Sequence, residues 1–433
     1  MDILFKNITA ITMDGGNSVL QNACVGVKGA KIAYVGAYHT DLQAKRVIDG
    51  ADKVLIPGLY NCHTHVPMSL LRGYADDTVL QDWLYNHIFP AEAKFTKGMV
   101  YDGTMLSIAE MIASGTIAFT DMYSDLDEIA EAVAETGVKA SLSNTILVLD
   151  SSNGYDFTKS DAYMETERII QNYHNTYSGR IKADTGIHAE YTSFPTAWAQ
   201  VVDYAKAKGL RMQVHVSETK TEHDACKARY GKTPTQVLAE AFVFDMPTTA
   251  AHCVWVEEDD MDILAEKGVT VAHNPISNLK LACGVAPVRR MLEKGINVTL
   301  GTDGMASNNS GDLFEEMKLA AILQKGISGN PTAVSALQAL KMATVNGALA
   351  QGRQDESGKI IEGFDADLVL LDFNTPRQTT CYDPVSTTVY ATSGRDVAMT
   401  MCQGKVLYEN GDYMTLDIEK TLFQARQAMA VLR

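Results

Sequence analysis

The sequence has no excess of basic residues. It contains 37 Lys and Arg against 53 Asp and Glu, and the formal net charge over its 433 residues is −16. An acidic surface repels the phosphates of nucleic acids and the anionic head groups of membranes. We therefore expect neither a nucleic acid nor a membrane as a partner.

Long apolar runs are missing as well. A membrane-spanning helix needs about 18 or more consecutive apolar residues, and no such stretch occurs. The first residues, MDILFKNITAITMDGG, alternate like a strand and lack the basic start and continuous apolar stretch of a signal peptide. The sequence thus predicts neither a spanning helix nor a secretion signal.

Paired cysteines are the third missing feature. The seven cysteines are scattered along the chain, and no C-x-x-C pair is present. Scattered cysteines in a large acidic chain are typical of reduced thiols in a cytosolic protein, so we expect a cytoplasmic location. Cys62 and Cys253 each stand next to a histidine, and we interpret both as small apolar filler.

The order of the elements that are present indicates three segments. Residues 1–55 and 356–433 contain short strands and turns, whereas residues 56–355 alternate short apolar runs with longer helical stretches. This alternation is the pattern of repeated βα units with a parallel sheet. We predict an α/β protein, a (β/α)₈ TIM-like barrel with a small composite β-sandwich domain formed by both termini.

Eight segments are predicted to be the barrel strands. They are residues 54–62, 116–122, 139–145, 182–188, 211–216, 248–252, 270–274 and 297–302. Helical stretches between them, such as LDEIAEAVAETG, end at a glycine, as helices commonly do.

Side chains with catalytic chemistry follow most of these strands. Catalytic groups of barrel enzymes come from the C-terminal ends of different strands. Five of the eight strand ends carry histidine, although the whole chain has only ten histidines, so isolated core histidines do not account for the pattern. The residues at these ends are His63, His65, His188, His215, His252, His273 and Asp303.

His63 and His65 are separated by one residue. Alternate side chains of a strand point to the same face, so both imidazoles can reach one ion at the barrel mouth. Together with His215 and Asp303 they form a mixed nitrogen and oxygen set that suits Zn²⁺, with Fe²⁺ as the alternative. We expect one divalent metal ion, because His188 occupies the position where many two-metal barrels have a carboxylated lysine.

Three further side chains have roles that the sequence leaves open. Glu218 follows His215 by three residues and is either a solvated loop carboxylate or a general acid and base. His252 is either a fifth ligand or a base that acts on water at the ion. We expect His273 to shape the loop after strand seven. The histidines to which we assign no role are His39, His87, His174 and His223.

Several motifs resemble those of the amidohydrolase superfamily, over nearly the whole chain. They are IPGLYNCHTH, HNPISNLKL and LGTDG, together with the residues at 215, 218 and 252. Within the superfamily, residues 69–96 and the stretch GTDGMASNNSGDLFEEMKLA resemble methylthioadenosine/S-adenosylhomocysteine deaminases and their chlorohydrolase relatives. The resemblance implies metal ligands at His63, His65, His215 and Asp303. It also implies substrate contacts from Glu92, His188 and Glu218, with Trp83 as a wall of the pocket.

The implied activity is that of a zinc-dependent aminohydrolase acting on cyclic amidines. A purine nucleoside-like substrate would be attacked at the carbon that carries the amino group by a water whose pKa the metal lowers to about 7. His252 and Asp303 would help remove the water proton. Glu218 would protonate the adjacent ring nitrogen and assist the departure of ammonia. The other zinc-deaminase design needs a C-x-x-C pair, which this sequence lacks.

The resemblance also gives an expectation about the 5′ group of the substrate. Relatives that accept S-adenosylhomocysteine are expected to hold its carboxylate with arginines at and beyond the end of strand three. Here that strand ends in Ser143, Asn144 and Thr145, and residues 146–167 contain no Arg and only Lys159 as a cation. We expect methylthioadenosine, 5′-deoxyadenosine or adenosine to be preferred over S-adenosylhomocysteine.

Two other functions stay open from the sequence. The same chemistry could hydrolyse another C–N or C–Cl bond in a small heterocycle, such as guanine, a pterin or a triazine. A metal-free, non-catalytic barrel that binds a partner is the other alternative, although the complete set of ligands argues against it. We also expect the chain to form a homo-oligomer.

Overall fold

The computed structural model describes residues 1–149 and 154–432. Its strands, numbered in chain order, are β1 Ile3–Ile11, β2 Val19–Lys28, β3 Lys31–Ala37, β4 Arg46–Asp49, β5 Lys53–Pro57, β6 Leu59–Thr64, β7 Thr116–Met122, β8 Lys139–Ser143, β9 Ile181–Ala183, β10 Thr185–Ala189, β11 Met212–Val216, β12 Thr248–His252, β13 Thr270–His273, β14 Asn297–Leu300, β15 Leu368–Asp372, β16 Val397–Cys402, β17 Lys405–Glu409 and β18 Asp412–Tyr413.

The longer helices span Lys97–Ala113, Leu126–Thr136, Asp161–Asn172, Pro195–Lys208, Lys220–Tyr230, Glu258–Glu266, Leu313–Ser328, Ala336–Ala343 and Ile418–Leu432. Shorter helical segments include Val66–Leu71, Leu80–Asp82, Trp83–Ile88, Phe89–Glu92, Pro234–Glu240, Pro275–Lys280, Val288–Glu293, Val345–Ala350 and Pro384–Tyr390. None of the helices in the described ranges combines the length and the apolar composition that crossing a membrane requires.

Two parallel sheets contain the middle of the chain. Their strand orders are β6-β7-β8-β9 and β10-β11-β12-β13-β14. Only Asp184 separates β9 from β10, and a parallel bridge joins Ile146, beyond β8, to Ile187 in β10. At the other margin, the N–H of Asp303, beyond β14, donates to the carbonyl of His63 in β6 at 2.9 Å. The fold is therefore α/β, and its first and last parallel strands meet beside the predicted metal ligands.

Two of the predicted strands are each divided in the structure, residues 182–188 into β9 and β10 and residues 54–62 into β5 and β6. Residues 54–62 are predicted to form a single barrel strand, but β5 pairs with β1 and β15, whereas β6 pairs with β7. The chain changes sheets at Gly58, where an added Cβ would lie 2.3 Å from Cγ1 of Ile117. Nearly every residue of both strands is buried, so the apolar pattern alone cannot reveal the break.

A third sheet joins the two ends of the chain. Its nine strands follow the order β18-β17-β16-β15-β5-β1-β2-β3, and β4 pairs with β1. Nζ of Lys139, in β8, lies 2.7 Å from Oδ2 of Asp365 and 2.6 Å from Oδ2 of Asp367, and all three side chains are buried. This ion-pair cluster fastens the parallel strands to the segment that leads into β15. The division into residues 1–55, 56–355 and 356–433 stays a prediction.

The helix after β7 illustrates how local sequence sets the ends of an element. Its residues Leu126–Thr136 bury the apolar side and expose the acidic side, as their 3.6-residue spacing predicts. Gly137 ends the helix with a φ of 95°, and its N–H donates to the carbonyl of Val133. The chain then enters β8 with its C-terminal end directed towards the cavity described next.

Candidate active site

The four predicted metal ligands lie together beyond the parallel strands. Nε2 of His63 and Nε2 of His65 lie 3.5 Å and 3.3 Å from Oδ1 of Asp303. The rings of His63 and His215 have centroids 4.8 Å apart. The ligand atoms of His63, His65 and Asp303 lie within 4.8 Å of one another, as do those of His63, His215 and His252. One ion could therefore be reached by all of these groups.

Hydrogen bonds orient the imidazoles towards this common point. Nδ1 of His65 donates to the carbonyl of Met122 at 2.5 Å, and Nδ1 of His215 donates to the carbonyl of His188 at 2.7 Å. Because a carbonyl can only accept, these bonds leave the Nε2 lone pairs free. Nε2 of His63 is buried and has no hydrogen-bond partner among the described residues. A donor set of this kind fits a divalent cation.

The Asp303 carboxylate is held by Ser277, from the helix after β13, and by Gly304 and Ser307 of its own loop. Oδ2 accepts from Ser277 Oγ at 2.6 Å and from Ser307 Oγ at 2.9 Å, while Oδ1 accepts the N–H of Gly304 at 2.8 Å. Asp303 has a φ of 63°, and His252 has one of 71°. Such left-handed conformations are uncommon for these side chains and cluster at functional sites.

Burial and charge shift the pKa values of the predicted ligands in different directions. Burial lowers the pKa of His63 to about 4 and that of His215 well below its ordinary value. Burial also opposes a charge on His65, but its hydrogen bond and ion pair with Asp303 raise the pKa to about 9. Although burial acts to raise the pKa of Asp303, its close contacts with His63 and His65 hold it well below its usual range. A divalent cation would replace the His65 proton as the partner of Asp303.

Glu218 is buried beside the predicted ligands and borders a cavity of about 300 Å³. Its side chain is 8% exposed, and Oε2 lies 3.9 Å from Nε2 of His252. The thiol of Cys283 donates to Oε1 at 3.7 Å. Burial raises the pKa of Glu218, which is the direction that suits a carboxyl group to act as a general acid and base. The alternative of a solvated loop carboxylate does not fit this position.

His252 and His188 both border the cavity, and His273 does not. Nδ1 of His252 lies 2.8 Å from Oδ1 of Asn278, so its Nε2 faces His63, His215 and Glu218. Both predicted roles of His252, as ligand or as base, fit this orientation.

His188 and His273 differ in what holds them. Nδ1 of His188 lies 3.0 Å from Oγ1 of Thr192, and burial lowers the pKa of His188 to about 3. The ring nitrogens of His273 are buried and have no hydrogen-bond partner in the described ranges, while its carbonyl accepts the N–H of Gly301. The predicted role of His273 in shaping the loop after β13 stays a prediction.

The substrate contacts that the family resemblance implies all border this cavity of about 300 Å³. Trp83 is 5% exposed and packs with Leu80 and Leu84 on one wall. The Tyr123 hydroxyl donates to the carboxylate of Glu92, and burial raises the pKa of Glu92. Glu92 is therefore not a helix-surface charge, and it can accept hydrogen bonds from hydroxyl groups of a ligand.

Cationic side chains do not reach the cavity from the described residues. Asn144 and Thr145, at the end of β8, border it, but no Lys or Arg does so within the described ranges. Arg72 forms an ion pair with Glu110 and donates to the carbonyl of Asn309 at 2.8 Å, so it is held elsewhere. Residues 150–153, part of the predicted Arg-free stretch, lie outside the described residues.

Sequence reasoning missed the residues that hold the site in place. Ser277 and Asn278 belong to HNPISNLKL, a motif singled out in the sequence, yet only His273 of it is given a role. Their hydroxyl and amide groups bond to Asp303 and His252. Other contacts to which the sequence gave no role come from Tyr123, Ser307, Glu222 and Cys283. The T-x-x-E pattern of a capping box at Thr219 is a local signal that could have identified Glu222.

Comparison with known proteins gives consistent matches over the full length. The sequence model of the amidohydrolase family matches residues 54–407. A 5′-deoxyadenosine deaminase of Methanosarcina acetivorans is 45% identical over 99% of this chain and 97% of its own. A 5-methylthioadenosine/S-adenosylhomocysteine deaminase of Thermoanaerobacter pseudethanolicus is 41% identical over 99% and 98%. The solved structure of an adenosine deaminase from Xanthomonas campestris with bound zinc superposes with a TM-score of 0.94, at 30% identity, and covers 100% of this chain and 98% of that one.

Proposed function

The chain belongs to the amidohydrolase family, and on that premise we propose that it is a metal-dependent hydrolase that deaminates adenosine derivatives and releases ammonia. Relatives that are 45% and 41% identical over almost the whole chain act on 5′-deoxyadenosine and on methylthioadenosine or S-adenosylhomocysteine, by their names. The observation that carries the proposal is the pairing of Glu218 with His252 in the cavity, beside the cluster of imidazoles.

The metal would be held by His63, His65, His215 and Asp303. Their free Nε2 atoms and the Asp303 carboxylate supply the donors that Zn²⁺ prefers, and Fe²⁺ is the other candidate. A bound divalent ion would polarise a water molecule and bring its pKa towards neutrality.

The proton transfers fall to residues of the chain. His252 and Asp303 are placed to accept a proton from a water molecule in the cluster. Glu218, with its raised pKa, delivers a proton to the ring nitrogen next to the carbon that carries the amino group. The Glu218 carboxylate then takes the proton of the hydroxyl group newly formed on that carbon and passes it to the departing amino group, which leaves as ammonia. The proton held by His252 or Asp303 returns Glu218 to its starting form. His188 would contact the purine ring, with Trp83 forming the wall beside it.

The ribose and the 5′ group decide which adenosine derivative is preferred. The Glu92 carboxylate, held by Tyr123, is suited to accept hydrogen bonds from ribose hydroxyls. The described residues around the cavity include the carboxylates of Glu92, Asp125 and Glu218 but no Lys or Arg, so a substrate carboxylate would lack such a partner there. We therefore favour methylthioadenosine, 5′-deoxyadenosine and adenosine over S-adenosylhomocysteine.

Release of ammonia from a panel of compounds tests this function. The panel contains the four adenosine derivatives, guanine, a pterin and a triazine. Ammonia from the adenosine derivatives is the expected result. Turnover of only guanine, the pterin or the triazine would instead assign the enzyme to the second class of heterocycle hydrolases. A protein that binds no metal and turns over nothing would contradict the proposal.

Other parts of the proposal concern the fold, the cellular location and the oligomeric state. The two parallel sheets would close into a (β/α)₈ barrel, and the sheet built from both termini would form a separate small composite domain of the β-sandwich type. The seven cysteines are all free, which suits a reducing cytoplasm. A homo-oligomer remains the expected assembly.

A further inference from the structure

A second buried carboxylate lies directly behind Glu218. Glu222 stands at the start of the helix Lys220–Tyr230 and is 5% exposed. It does not border the cavity and has no part in the proton transfers of the proposed function. Burial, and after it the charge of Glu218, raises the pKa of Glu222 to about 8. A buried carboxyl group is costly to keep, so its contacts need an explanation.

The contacts of Glu222 all go to the segment that carries Glu218. Oε1 of Glu222 accepts the N–H of Ser217 at 2.9 Å, and Oε2 accepts the N–H of Glu218 at 2.8 Å and that of Thr219 at 3.5 Å. In return, the Thr219 hydroxyl accepts the N–H of Glu222 at 3.1 Å. One side chain therefore fixes three consecutive peptide groups on its own helix terminus.

This arrangement determines where the Glu218 side chain points. Ser217 has a φ of 48°, a left-handed turn that takes the chain out of β11. From the opposite side, the N–H groups of Val254 and Trp255 donate to the Ser217 carbonyl at 3.1 Å and 2.9 Å. The indole N–H of Trp255 donates to the carbonyl of Cys283, whose thiol reaches Glu218. The turn at Ser217 is thus held on one side by the N–H groups of Val254 and Trp255 and on the other side by the Glu222 carboxylate.

We infer that Glu222 is a positioning residue that places the Glu218 carboxyl group for proton transfer. The inference rests on the proposed function. It predicts an effect on turnover rather than on metal binding, because Glu222 touches none of the predicted metal ligands. Misplacing a reacting group by about 1 Å can cost about 10²-fold in rate.

The test uses Glu222→Gln with a matched control. The amide keeps the size of the side chain but replaces one of the two acceptor oxygens with a donor that faces a peptide N–H. The control is Asp260→Asn, because Asp260 is also a fully buried carboxylate at the third position of a helix, where Oδ2 accepts the N–H of Glu257 at 2.8 Å. Asp260 does not border the cavity.

Glu222→Gln is expected to lower kcat for the best adenosine substrate by about 10²-fold, with KM changing far less and metal content unchanged. Asp260→Asn is expected to lower the melting temperature to a similar extent but to keep the wild-type kcat. In a Glu218→Gln background the Glu222→Gln change should have little further effect on kcat, since the group that it positions is already disabled.

Three outcomes would overturn the inference. They are an unchanged kcat in Glu222→Gln, an equal loss of kcat in Asp260→Asn, and a full additional loss of kcat in the Glu218→Gln background. Wild-type protein that releases no ammonia from any adenosine derivative would contradict the proposed function instead, so the two failures can be told apart.

Discussion

Nε2 of His252 lies 3.9 Å from Oε2 of Glu218, and both side chains are buried and border the same cavity. Both are held from behind by the segment between β13 and β14, His252 by Asn278 and Glu218 by the thiol of Cys283. Two groups that can carry protons therefore face a space next to the predicted metal ligands. Hydrolytic deamination requires such a pair, because one proton leaves water while others reach the ring and the departing amine.

Replacing Glu218 with Gln should separate proton transfer from metal binding. The amide keeps the shape of the side chain but cannot carry a proton. We expect full metal content and a fall in turnover of about 10²–10⁴-fold, the usual size of a general acid and base contribution. Metal analysis and ammonia release measure the two effects, with Glu240→Gln as a control at an exposed carboxylate. Loss of the metal along with the activity would make Glu218 a ligand.

His215→Ala should remove both metal and activity. A bound ion depends on the number and geometry of its ligands, and His215 is oriented by the His188 carbonyl to face the other donors. Elemental analysis and turnover are the measurements. His39→Ala, which changes a half-exposed histidine of the peripheral sheet region, should leave both unchanged. Full metal and full activity in His215→Ala would show that the metal site is assigned wrongly.

The 5′ group should separate the substrates by kcat/KM. A charged hydrogen bond contributes about 1.5–3 kcal/mol, so a carboxylate that finds no cation should cost roughly one to two decades of kcat/KM. Methylthioadenosine is therefore expected to exceed S-adenosylhomocysteine by that factor. Thr145→Arg adds a cation beside the cavity and should reduce the difference in kcat/KM between the two substrates, whereas Thr145→Met should leave it unchanged. A wild-type preference for S-adenosylhomocysteine would refute the explanation.

Lys139→Met should destabilise the fold in a pH-dependent way. The substitution leaves the buried carboxylates of Asp365 and Asp367 without their shared cation, which typically costs about 3–5 kcal/mol. In the wild type, burial acts to raise the pKa of Asp365, but Lys139 holds it below its usual value. The pairing therefore stabilises the fold at pH values above the pKa that Asp365 has in the unfolded chain. This contribution disappears as the pH falls through the pKa of Asp365 in the folded protein.

In the Lys139→Met variant this contribution is lost. Of the described residues, only Lys31, at 2.7 Å, remains as a cation beside Asp365, so the folded-state pKa of Asp365 rises and the loss of stability relative to the wild type becomes smaller as the pH falls. The free energy of unfolding should fall furthest below that of the wild type near pH 7 and less far near pH 5. Denaturant unfolding at each pH measures this difference. Lys97→Met, at a lysine that is 63% exposed, should change stability little at either pH. A deficit that does not depend on pH would contradict this account.

The sequence by itself determined the parallel strands and the residues at their ends. Strand periodicity is local, so the order of apolar runs predicts β7, β12 and their neighbours almost to the residue. The ends of parallel strands meet at one edge, and histidines at 63, 65, 215 and 252 were therefore expected to converge with Asp303. The structure brings these side chains into one cluster. Family motifs, rather than spacing, pointed to Trp83, Glu92 and His188.

Tertiary structure alone decided which groups support that cluster. The bonds of Ser277 to Asp303, of Asn278 to His252 and of Tyr123 to Glu92 join residues that lie 26 to 31 positions apart, so they depend on how distant segments pack. The break at Gly58 has the same origin, because both halves of the apolar run are buried in different sheets. Periodicity reports which face of an element is covered. It does not report which distant residue covers it, because that depends on strand order and on contacts between segments far apart in the chain.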